Sequence, residues 1–255
     1  MPIRPYILAE TNWKNVKSTK FDIAILPWAA TEAHNYHLPY STDTLECDHI
    51  AAESARRAWD AGAKVIVLPT VPFGVQSGQL DIPLCLNINP STQAAILFDL
   101  AQTLQNHNIQ KLVILNGHGG NDFKTIIREL QPKLKIFLCA INWYTAVPPK
   151  QFFDEPGDHA GELETSMILH IAPDLVLSLH QAGTGEEKRF RIEGLRNGLA
   201  WAPRQWTKIS KDTGVGNPKA AAVEKGKQFS DAVSEKIAAF LLELAKADIN
   251  NLYEK

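Results

Sequence analysis

The stretch that decides the fold is Lys111-Leu112-Val113-Ile114-Leu115-Asn116-Gly117-His118-Gly119-Gly120-Asn121. Its apolar first half is typical of a buried strand, and residues 122–130, which follow it, have the pattern of a helix. A histidine in a glycine-rich turn at the carboxyl end of a strand lies where open α/β sheets bind ligands. The glycines are expected to give the turn unusual dihedral angles and to let it approach a bound group closely. His118 is therefore the first candidate ligand-binding residue.

The rest of the chain alternates strand-like and helix-like segments. We predict strands at 23–26, 64–68, 111–115 and 134–141, and helices at 44–61, 91–107, 122–130, 161–171 and 219–247. This alternation predicts an α/β fold in which a mainly parallel sheet is covered by helices on both faces. Residues 179–216 are harder to assign, and an extra strand pair around residues 189–192 is considered there. No linker divides the sequence, so residues 1–255 are predicted to form a single domain.

Composition narrows the functional classes. The formal net charge is −2, which argues against a general nucleic-acid binder because such proteins present a basic face. The three cysteines form no Cys-x-x-Cys pair, which suits a reducing compartment. The first five residues contain no apolar signal core, and no run approaches the roughly 18 apolar residues that cross a bilayer. We therefore predict a soluble cytoplasmic protein with no membrane and no nucleic-acid partner.

A second segment with ligand chemistry follows the first predicted strand. Glu32 and His34 are two residues apart, so in an extended backbone their side chains point the same way. Asp43 comes after a turn and opens the next predicted helix, a position that suits a carboxylate with or without a metal. The alternative interpretation is a helix cap at Asp43 and scattered surface histidines.

A third segment, residues 158–166, has the sequence Asp-His-Ala-Gly-Glu-Leu-Glu-Thr-Ser. If it starts a helix, His159 and Glu162 are three apart and share a face, whereas Glu164 points elsewhere. This geometry favours Glu162 over Glu164 as the residue that joins His159 in a site. An ordinary helix amino terminus enriched in acids is the alternative interpretation.

Taken together, the three segments supply a set of metal-ligand candidates: Glu32, His34, Asp43, His118 and Glu162. Two imidazoles and three carboxylates suit zinc, manganese or iron better than calcium or magnesium. Three carboxylates and one hydroxide balance the charge of two divalent ions, so we predict a dinuclear centre with Asp43 as the bridge. Two ions about 3.5–4 Å apart would hold a hydroxide at neutral pH and polarise a carbonyl group.

In these three segments the chain resembles the creatininase (creatinine amidohydrolase) family, and the resemblance covers most of its length. The markers are Thr31-Glu32-Ala33-His34, His37-Leu38-Pro39, Thr42-Asp43-Thr44, the turn at residues 116–121, and residues 159–166. The resemblance implies a three-layer α/β/α sandwich, a dinuclear metal site, hydrolysis of a cyclic or linear amide C–N bond, and a homo-oligomer, usually a hexamer. It further implies that Glu32, Asp43 and His118 bind one ion, and that His34, Asp43 and a further carboxylate bind the other.

The chain departs from the creatinine-hydrolysing members of that family at three places. They carry a tyrosine and a glutamate after the histidine of the glycine turn, where this chain has Gly119 and Gly120. Glu162 is the expected source of the missing carboxylate. They also carry a tryptophan shortly before the histidine of the third segment, and residues 153–158 contain none. Asn35 replaces the usual glycine after His34. Creatinine is therefore an alternative substrate rather than the leading one.

Catalytic and substrate contacts complete the prediction. His159 is the candidate general acid for the leaving nitrogen, because histidine titrates near neutral pH. Ser77 and Gln79 lie in a loop after the second strand, at the functional edge of the sheet, and are candidate substrate contacts together with Trp28. A plain turn is the alternative for this loop. His37 is expected to hold a loop, and the other tryptophans are assigned to the core or to subunit contacts.

The leading hypothesis is a metal-dependent amidohydrolase that acts on a small-molecule amide. Within this class, creatinine hydrolysis and deformylation of an aminopyrimidine formamide are the alternatives. A non-catalytic metal-binding scaffold is the alternative from another class, and His159 argues against it because a scaffold needs no acid or base beside its metals.

Overall fold

The computed structural model describes residues 3–254, so Met1, Pro2 and Lys255 of the predicted domain lie outside the described residues. Four strands form one sheet in the order β2-β1-β3-β4, and every neighbouring pair is parallel. The strands are β1 Ile23–Trp28, β2 Val65–Val67, β3 Lys111–Asn116 and β4 Phe137–Asn142. All four predicted strands are therefore present, with β1 two residues longer and β4 three residues later in its start than predicted.

The helices account for most of the remaining regular structure. They are α1 Trp13–Ser18, α2 Thr42–Asp60, α3 Pro90–Asn106, α4 Phe123–Leu130, α5 Glu162–Ile171, α6 Glu193–Arg196, α7 Trp206–Ile209 and α8 Val223–Lys246. Short 3₁₀ segments cover Gln131–Lys133, Trp143–Thr145, Pro149–Gln151, Pro173–Leu175 and Pro218–Ala220. Within residues 3–254, none of these helices is both long enough and apolar enough to cross a membrane.

Alternate residues of the strands face two different cores, as both faces of a covered parallel sheet require. Ile23 and Ile25 of β1 pack into a core shared with α2, α5 and α8. Ala24, Leu26 and Trp28 of the same strand pack into a second core with α3 and α4. The predicted three-layer α/β/α arrangement is confirmed, and all of β1 and β3 is buried.

The order of the strands fixes where a ligand can bind. The chain leaves β1 towards β2 on one side and later returns through α3 to β3 on the other side of β1. Loops at the carboxyl ends of β1 and β3 therefore diverge and leave a crevice, which is the usual ligand position in open α/β sheets. Residues 29–41 and 117–122 are the two loops that border it.

Close packing of α8 on α5 holds the third ligand-bearing segment against the sheet. A Cβ atom at Gly226 would collide with the backbone of Ser166, so only glycine allows the two helices to approach this closely. The Ser166 hydroxyl also accepts a hydrogen bond of 3.1 Å from the Ala222 backbone N–H. The amino-terminal turn of α5 is therefore fixed in position beneath the crevice.

The predicted strand pair around residues 189–192 is wrong. These residues form no bridge with a strand within the described part of the chain, residues 191 and 192 are a bend, and the helix α6 follows them directly. Arginines alternate with apolar residues here, and this pattern alone did not specify a strand.

Candidate metal centre

A tight loop after β1 delivers Glu32 and His34 to the crevice. The Nδ1–H of His34 donates to the Glu32 carbonyl oxygen at 3.1 Å, which leaves its Nε2 facing the Asp43 carboxylate, 2.9 Å from Oδ1. Asn35, at φ 54°, adopts the left-handed conformation that glycine usually supplies and that asparagine tolerates. Its Oδ1 accepts from the Gly183 N–H at 2.8 Å, so the loop is tied to a distant segment. The loop therefore keeps its geometry with asparagine, rather than glycine, at position 35.

The turn after β3 fixes the orientation of His118. The Asn116 side chain spans the turn, because its Oδ1 accepts from the His118 N–H at 3.2 Å and its Nδ2 donates to the His118 carbonyl at 2.9 Å. The Nε2–H of His118 donates to the Val75 carbonyl at 3.1 Å. Its Nδ1 then lies 2.8 Å from Glu32 Oε1 and 3.1 Å from Asp43 Oδ2. Both histidines thus point one ring nitrogen at the Asp43 carboxylate.

Gly117 and Gly120 of this turn serve close packing rather than unusual dihedral angles, whereas a Cβ atom at Gly119 would meet nothing within 4 Å. Among Gly117, Gly119 and Gly120, none has a positive φ. A Cβ atom at Gly117 would meet the Trp143 Nε1 at 2.7 Å, and one at Gly120 would lie 2.5 Å from His118 Nε2 and collide with the Val75 carbonyl. The loop that carries Val75 therefore leaves no room for a side chain at position 120.

The predicted pairing of His159 with Glu162 is wrong, because His159 does not lie on the helix. It forms an isolated bridge with Val215, and the left-handed Ala160, at φ 50°, turns the chain before α5 begins at Glu162. The three-residue spacing of a helical face therefore does not apply. Glu162 is fully buried, accepts from the Glu155 N–H at 2.7 Å and forms an ion pair with Lys225.

Glu164 reaches the centre in place of Glu162. Its Oε1 lies 3.9 Å from His34 Nε2, and its Oε2 accepts a hydrogen bond from the Ala160 N–H. The turn at Ala160 directs Glu164 of α5 towards His34 in the loop after β1. The two acids of the Glu-x-Glu sequence therefore have separate environments, one facing the centre and one facing Lys225.

The side chains fall into three overlapping groups whose donor atoms lie within 4.8 Å of one another. The groups are Glu32 with Asp43 and His118, His34 with Asp43 and Glu164, and Glu32 with His34 and His159. Asp43 belongs to two of them, and its two oxygens face different histidines. Two of the three candidate metal-binding groups therefore share Asp43.

Hydrogen bonding shows why these residues fit a metal. Each of His34 and His118 donates one ring N–H to a backbone carbonyl, so a neutral ring has a lone pair on the other nitrogen. That lone pair faces carboxylate oxygens, which are also acceptors, so the arrangement is favourable when the ring is doubly protonated or when a metal ion lies between the two groups. The backbone contacts also select the nitrogen that would bind the metal, as hydrogen bonds to metal-ligating histidines usually do.

The electrostatics of the cluster also fit a cation bound among these side chains. Burial lowers the pKa of His34, but the Asp43, Glu164 and Glu32 carboxylates outweigh it and raise that pKa to about 10. Burial raises the pKa of Asp43, but His34 and His118 outweigh it and hold that pKa below its usual range. The pocket therefore favours ionised carboxylates with positive charge between them, which is the environment that divalent ions require.

Glu46 lies one turn after Asp43 on α2 and differs from the other acids. It is fully buried, and neither of its carboxyl oxygens has a hydrogen-bond partner among residues 3–254. Burial, followed by the charges of Glu164 and Asp43, raises its pKa well above the usual value. Burial and the neighbouring carboxylates therefore favour the neutral form of Glu46, in contrast to Asp43.

A cleft of about 270 Å³ opens beside the cluster. Its lining includes Ser77, as the sequence predicted, and also His159 and Glu164. Gln79 lines the cleft too, but its Nε2 donates to Glu32 Oε2, so its amide already holds a candidate ligand in position. Gln79 is therefore placed to orient Glu32.

Trp28 does not contact the cleft, and its prediction as a substrate contact is wrong. It is fully buried, donates from Nε1 to the Phe73 carbonyl at 2.9 Å and packs against Phe123. Because β1 continues to residue 28, the side chain still follows the alternation of the strand into the second core. Closeness in sequence to Glu32 therefore did not bring it to the site.

Two other tryptophans line the cleft instead, Trp201 and Trp206. The Trp206 ring packs edge-on against the His159 ring with centroids 4.8 Å apart, and Arg204 lies over its other side at 4.8 Å. Both tryptophans come from residues 179–216, where no periodic pattern was available to place them. Their aromatic character in a polar, irregular segment was the only signal in the sequence.

Lowering the pH from about 6.5 to about 4 is expected to destabilise the fold through His37. Its Nε2 lies 2.8 Å from Thr165 Oγ1, and burial, together with the nearby His34, lowers its pKa to about 4. The unfolded chain, with an ordinary pKa near 6.5, binds this proton more readily, so stability falls as the pH drops through this interval. Urea unfolding midpoints between pH 4 and 7 should fall less steeply for His37→Gln, and equal slopes would contradict the assignment.

The fold and the centre together define a class of protein. Buried imidazoles and carboxylates with shared donor atoms, beside a small cleft at the edge of a parallel sheet, are typical of metal-dependent hydrolases. The sequence model of the creatininase family, described as creatinine amidohydrolase, matches residues 9–241. The chain therefore belongs to the creatininase family, and it is a hydrolase that acts on C–N bonds. A non-catalytic scaffold is not supported.

Individual relatives agree with the family. A structure from Bacteroides fragilis NCTC 9343, assigned as a creatinine amidohydrolase, is 44% identical with a TM-score of 0.92, over 98% of this chain and 99% of that one. The mycofactocin precursor peptide peptidase of Mycolicibacterium smegmatis is 26% identical over 160 residues, which span 61% of this chain and 60% of that relative. A creatininase structure named for manganese has a TM-score of 0.79 at 21% identity, over 95% and 99% of the two chains, and shows the shared fold alone.

Proposed function

We propose that this protein is a dinuclear metal-dependent amidohydrolase. In this proposal Glu32, Asp43 and His118 bind one divalent ion, and His34, Asp43 and Glu164 bind the other. The observation that carries it is the position of Asp43, whose Oδ1 lies 2.9 Å from His34 Nε2 and whose Oδ2 lies 3.1 Å from His118 Nδ1. A carboxylate that faces two imidazoles with its two oxygens is suited to bridge two ions. Mixed nitrogen and oxygen ligands favour zinc, manganese or iron.

The chemistry divides between the ions and the side chains. Two bound divalent ions would supply a nucleophilic water at neutral pH and polarise the scissile carbonyl. His159 donates from Nε2 to the Ala33 carbonyl at 2.8 Å, so its Nδ1 is the nitrogen that faces the cluster, 3.9 Å from Glu32 Oε1. A proton held at Nδ1 would be placed for transfer to the leaving nitrogen. Trp206 covers the other side of this ring and limits its movement.

The cleft favours a small substrate, because its volume of about 270 Å³ is at the lower end for ligand pockets. Creatinine hydrolysis and deformylation of an aminopyrimidine formamide stay as alternatives within the class. A screen should include both compounds, other small amides and a short peptide, since a curated relative is a peptide peptidase. The homo-oligomer, expected as a hexamer, and the cytoplasmic location also stay predictions.

The two acids of α5 give a matched test of the metal proposal. Glu164→Gln is expected to reduce the metal content from two ions per chain to about one, because it removes a carboxylate from the second position only. Glu162→Gln is expected to keep both ions and to lower the melting temperature, because it removes the charge that faces Lys225. Elemental analysis after reconstitution with zinc or manganese, together with thermal unfolding, measures both effects.

Other results would count against the proposal. Wild-type protein that binds at most one ion after reconstitution would exclude the dinuclear centre. Loss of an ion from Glu162→Gln but not from Glu164→Gln would return the ligand role to Glu162, and the arrangement of α5 described above would be incorrect.

A further inference from the structure

Gln76 is the one cleft-lining glutamine whose side chain has no assigned role. Its backbone is held on both sides, because its N–H donates to Asn87 Oδ1 at 2.7 Å and its carbonyl accepts from the Gln79 N–H at 2.9 Å. The residue is 4% exposed, and neither Oε1 nor Nε2 has a hydrogen-bond partner among residues 3–254. An amide that is buried without partners destabilises the fold, so its retention calls for a ligand.

The other two buried glutamines near the site are used differently. Gln79 donates to Glu32, and Gln93 donates from Nε2 to Asn121 Oδ1 at 2.7 Å, which supports the turn that carries His118. Asn121 in turn accepts from the Val75 N–H at 3.1 Å. Gln93 Oε1 also has no partner among residues 3–254, so Gln76 is the one of these three glutamines in which neither amide atom is paired.

The charged residues that line the cleft limit which functional groups a bound molecule can carry next to Gln76. Arg204 is the only lysine or arginine among the residues that line the cleft. It is already paired with Asp158 at 2.5 Å and with Glu187 at 3.7 Å. A substrate carboxylate would thus find no unpaired arginine or lysine in the lining, and it would satisfy Nε2 of Gln76 while repelling Oε1. A primary amide, or the cis amide of a ring, presents an N–H donor and a carbonyl acceptor side by side and can pair with both atoms.

We propose that Gln76 determines substrate specificity by binding a second, neutral amide group of the substrate, next to the amide that is cleaved. This inference rests on the amidohydrolase function proposed above. The substrate class is then a small compound with two neighbouring neutral amides, either linear or joined in a ring. Such a site rejects analogues that lack the second amide, because they leave the buried Gln76 atoms unpaired.

Thermal unfolding tests whether the amide is unpaired. Metal-loaded Gln76→Met should melt at or above the wild-type temperature, since it removes an unsatisfied buried group and keeps the volume. The matched control, Gln93→Met, should melt lower because it loses the bond to Asn121. A melting temperature of Gln76→Met below that of the wild type would show that the amide is satisfied within the protein and would overturn the proposal.

Three probes test what the amide binds: N-acetylglycinamide with two amides, N-acetylglycine with an amide and a carboxylate, and N-ethylacetamide with one amide. Calorimetry with metal-loaded wild type, or kcat/KM where a probe is cleaved, should favour the diamide at least about tenfold. Gln76→Met and Gln76→Glu should both lose this preference. Wild type that shows no preference, or Gln76→Met that keeps it, would overturn the proposal. Metal content and hydrolysis of other amides report separately on the amidohydrolase function.

Discussion

Asp43→Asn is expected to empty both metal positions and to abolish turnover. Both oxygens of this side chain face the centre, and an amide cannot replace a carboxylate that neutralises two cations. The loss of activity should exceed the roughly 10–100-fold that follows removal of a group that merely supports a metal ligand. Elemental analysis and activity on a small amide measure the result, and the screen described above supplies that amide.

Asp48→Asn is the matched control for this prediction. Asp48 lies on the same helix, its carboxylate pairs with the Thr70 hydroxyl, and it belongs to none of the groups around the centre. This variant should keep both ions. If Asp43→Asn retained one ion at full occupancy, Asp43 would serve a single position, and the bridging arrangement would have to be abandoned.

His159→Ala is expected to keep near-normal metal content and to lose about 10²–10⁴-fold in turnover, the range typical for removal of a general acid. Its Nε2 is held by the Ala33 carbonyl, so only Nδ1 is available to the reacting groups. His180→Ala, at an exposed position, is the control and should leave activity unchanged. Metal analysis and steady-state kinetics on the same preparations separate the binding effect from the catalytic one.

Two outcomes would change the role of His159. Its Nδ1 also belongs to a group with Glu32 and His34, so the loss of an ion from His159→Ala would make it a ligand. Full activity would mean that the proton reaches the leaving nitrogen from another donor. Glu46 would then become the next candidate to test, because it is a buried acid near Glu164 whose pKa burial raises.

The amino-acid sequence by itself determined the sheet, the edge at which the site lies and most of the proposed ligands. Buried parallel strands are recognised in a sequence as continuous apolar runs. In a parallel sheet the carboxyl ends of the strands lie at one edge, regardless of the conformation of the loops. Glu32, His34, Asp43 and His118 could therefore be placed together from their positions after strands and at a helix start. The family could be identified from the same three segments.

Only the tertiary structure decided which acid of the third segment, residues 158–166, faces the centre. The prediction placed His159 and Glu162 on one helical face, but the helix begins at Glu162, after His159, so this spacing did not select the acid that faces the centre. Ala160 turns the chain with a left-handed conformation that an alanine rarely adopts, and no local pattern announces it. The surrounding contacts impose that conformation, among them the bridge between His159 and Val215, a residue more than fifty positions away in sequence.

Contacts between segments that are distant in sequence also determine which residues line the cleft. Trp28 is close to Glu32 in sequence but belongs to the core, whereas Trp206 is distant in sequence and packs on His159. The loop that carries Trp206 approaches the cleft because Gly78 has no side chain to collide with it. The Gly78 carbonyl also accepts a hydrogen bond from the Trp206 N–H at 3.0 Å. Contacts between irregular segments depend on how loops pack after the sheet has formed, and hydrophobic periodicity carries no information about that packing. The sequence therefore predicted the sheet and the edge at which the site lies, whereas the tertiary structure brought Glu164 to the cluster and Trp206 to the cleft.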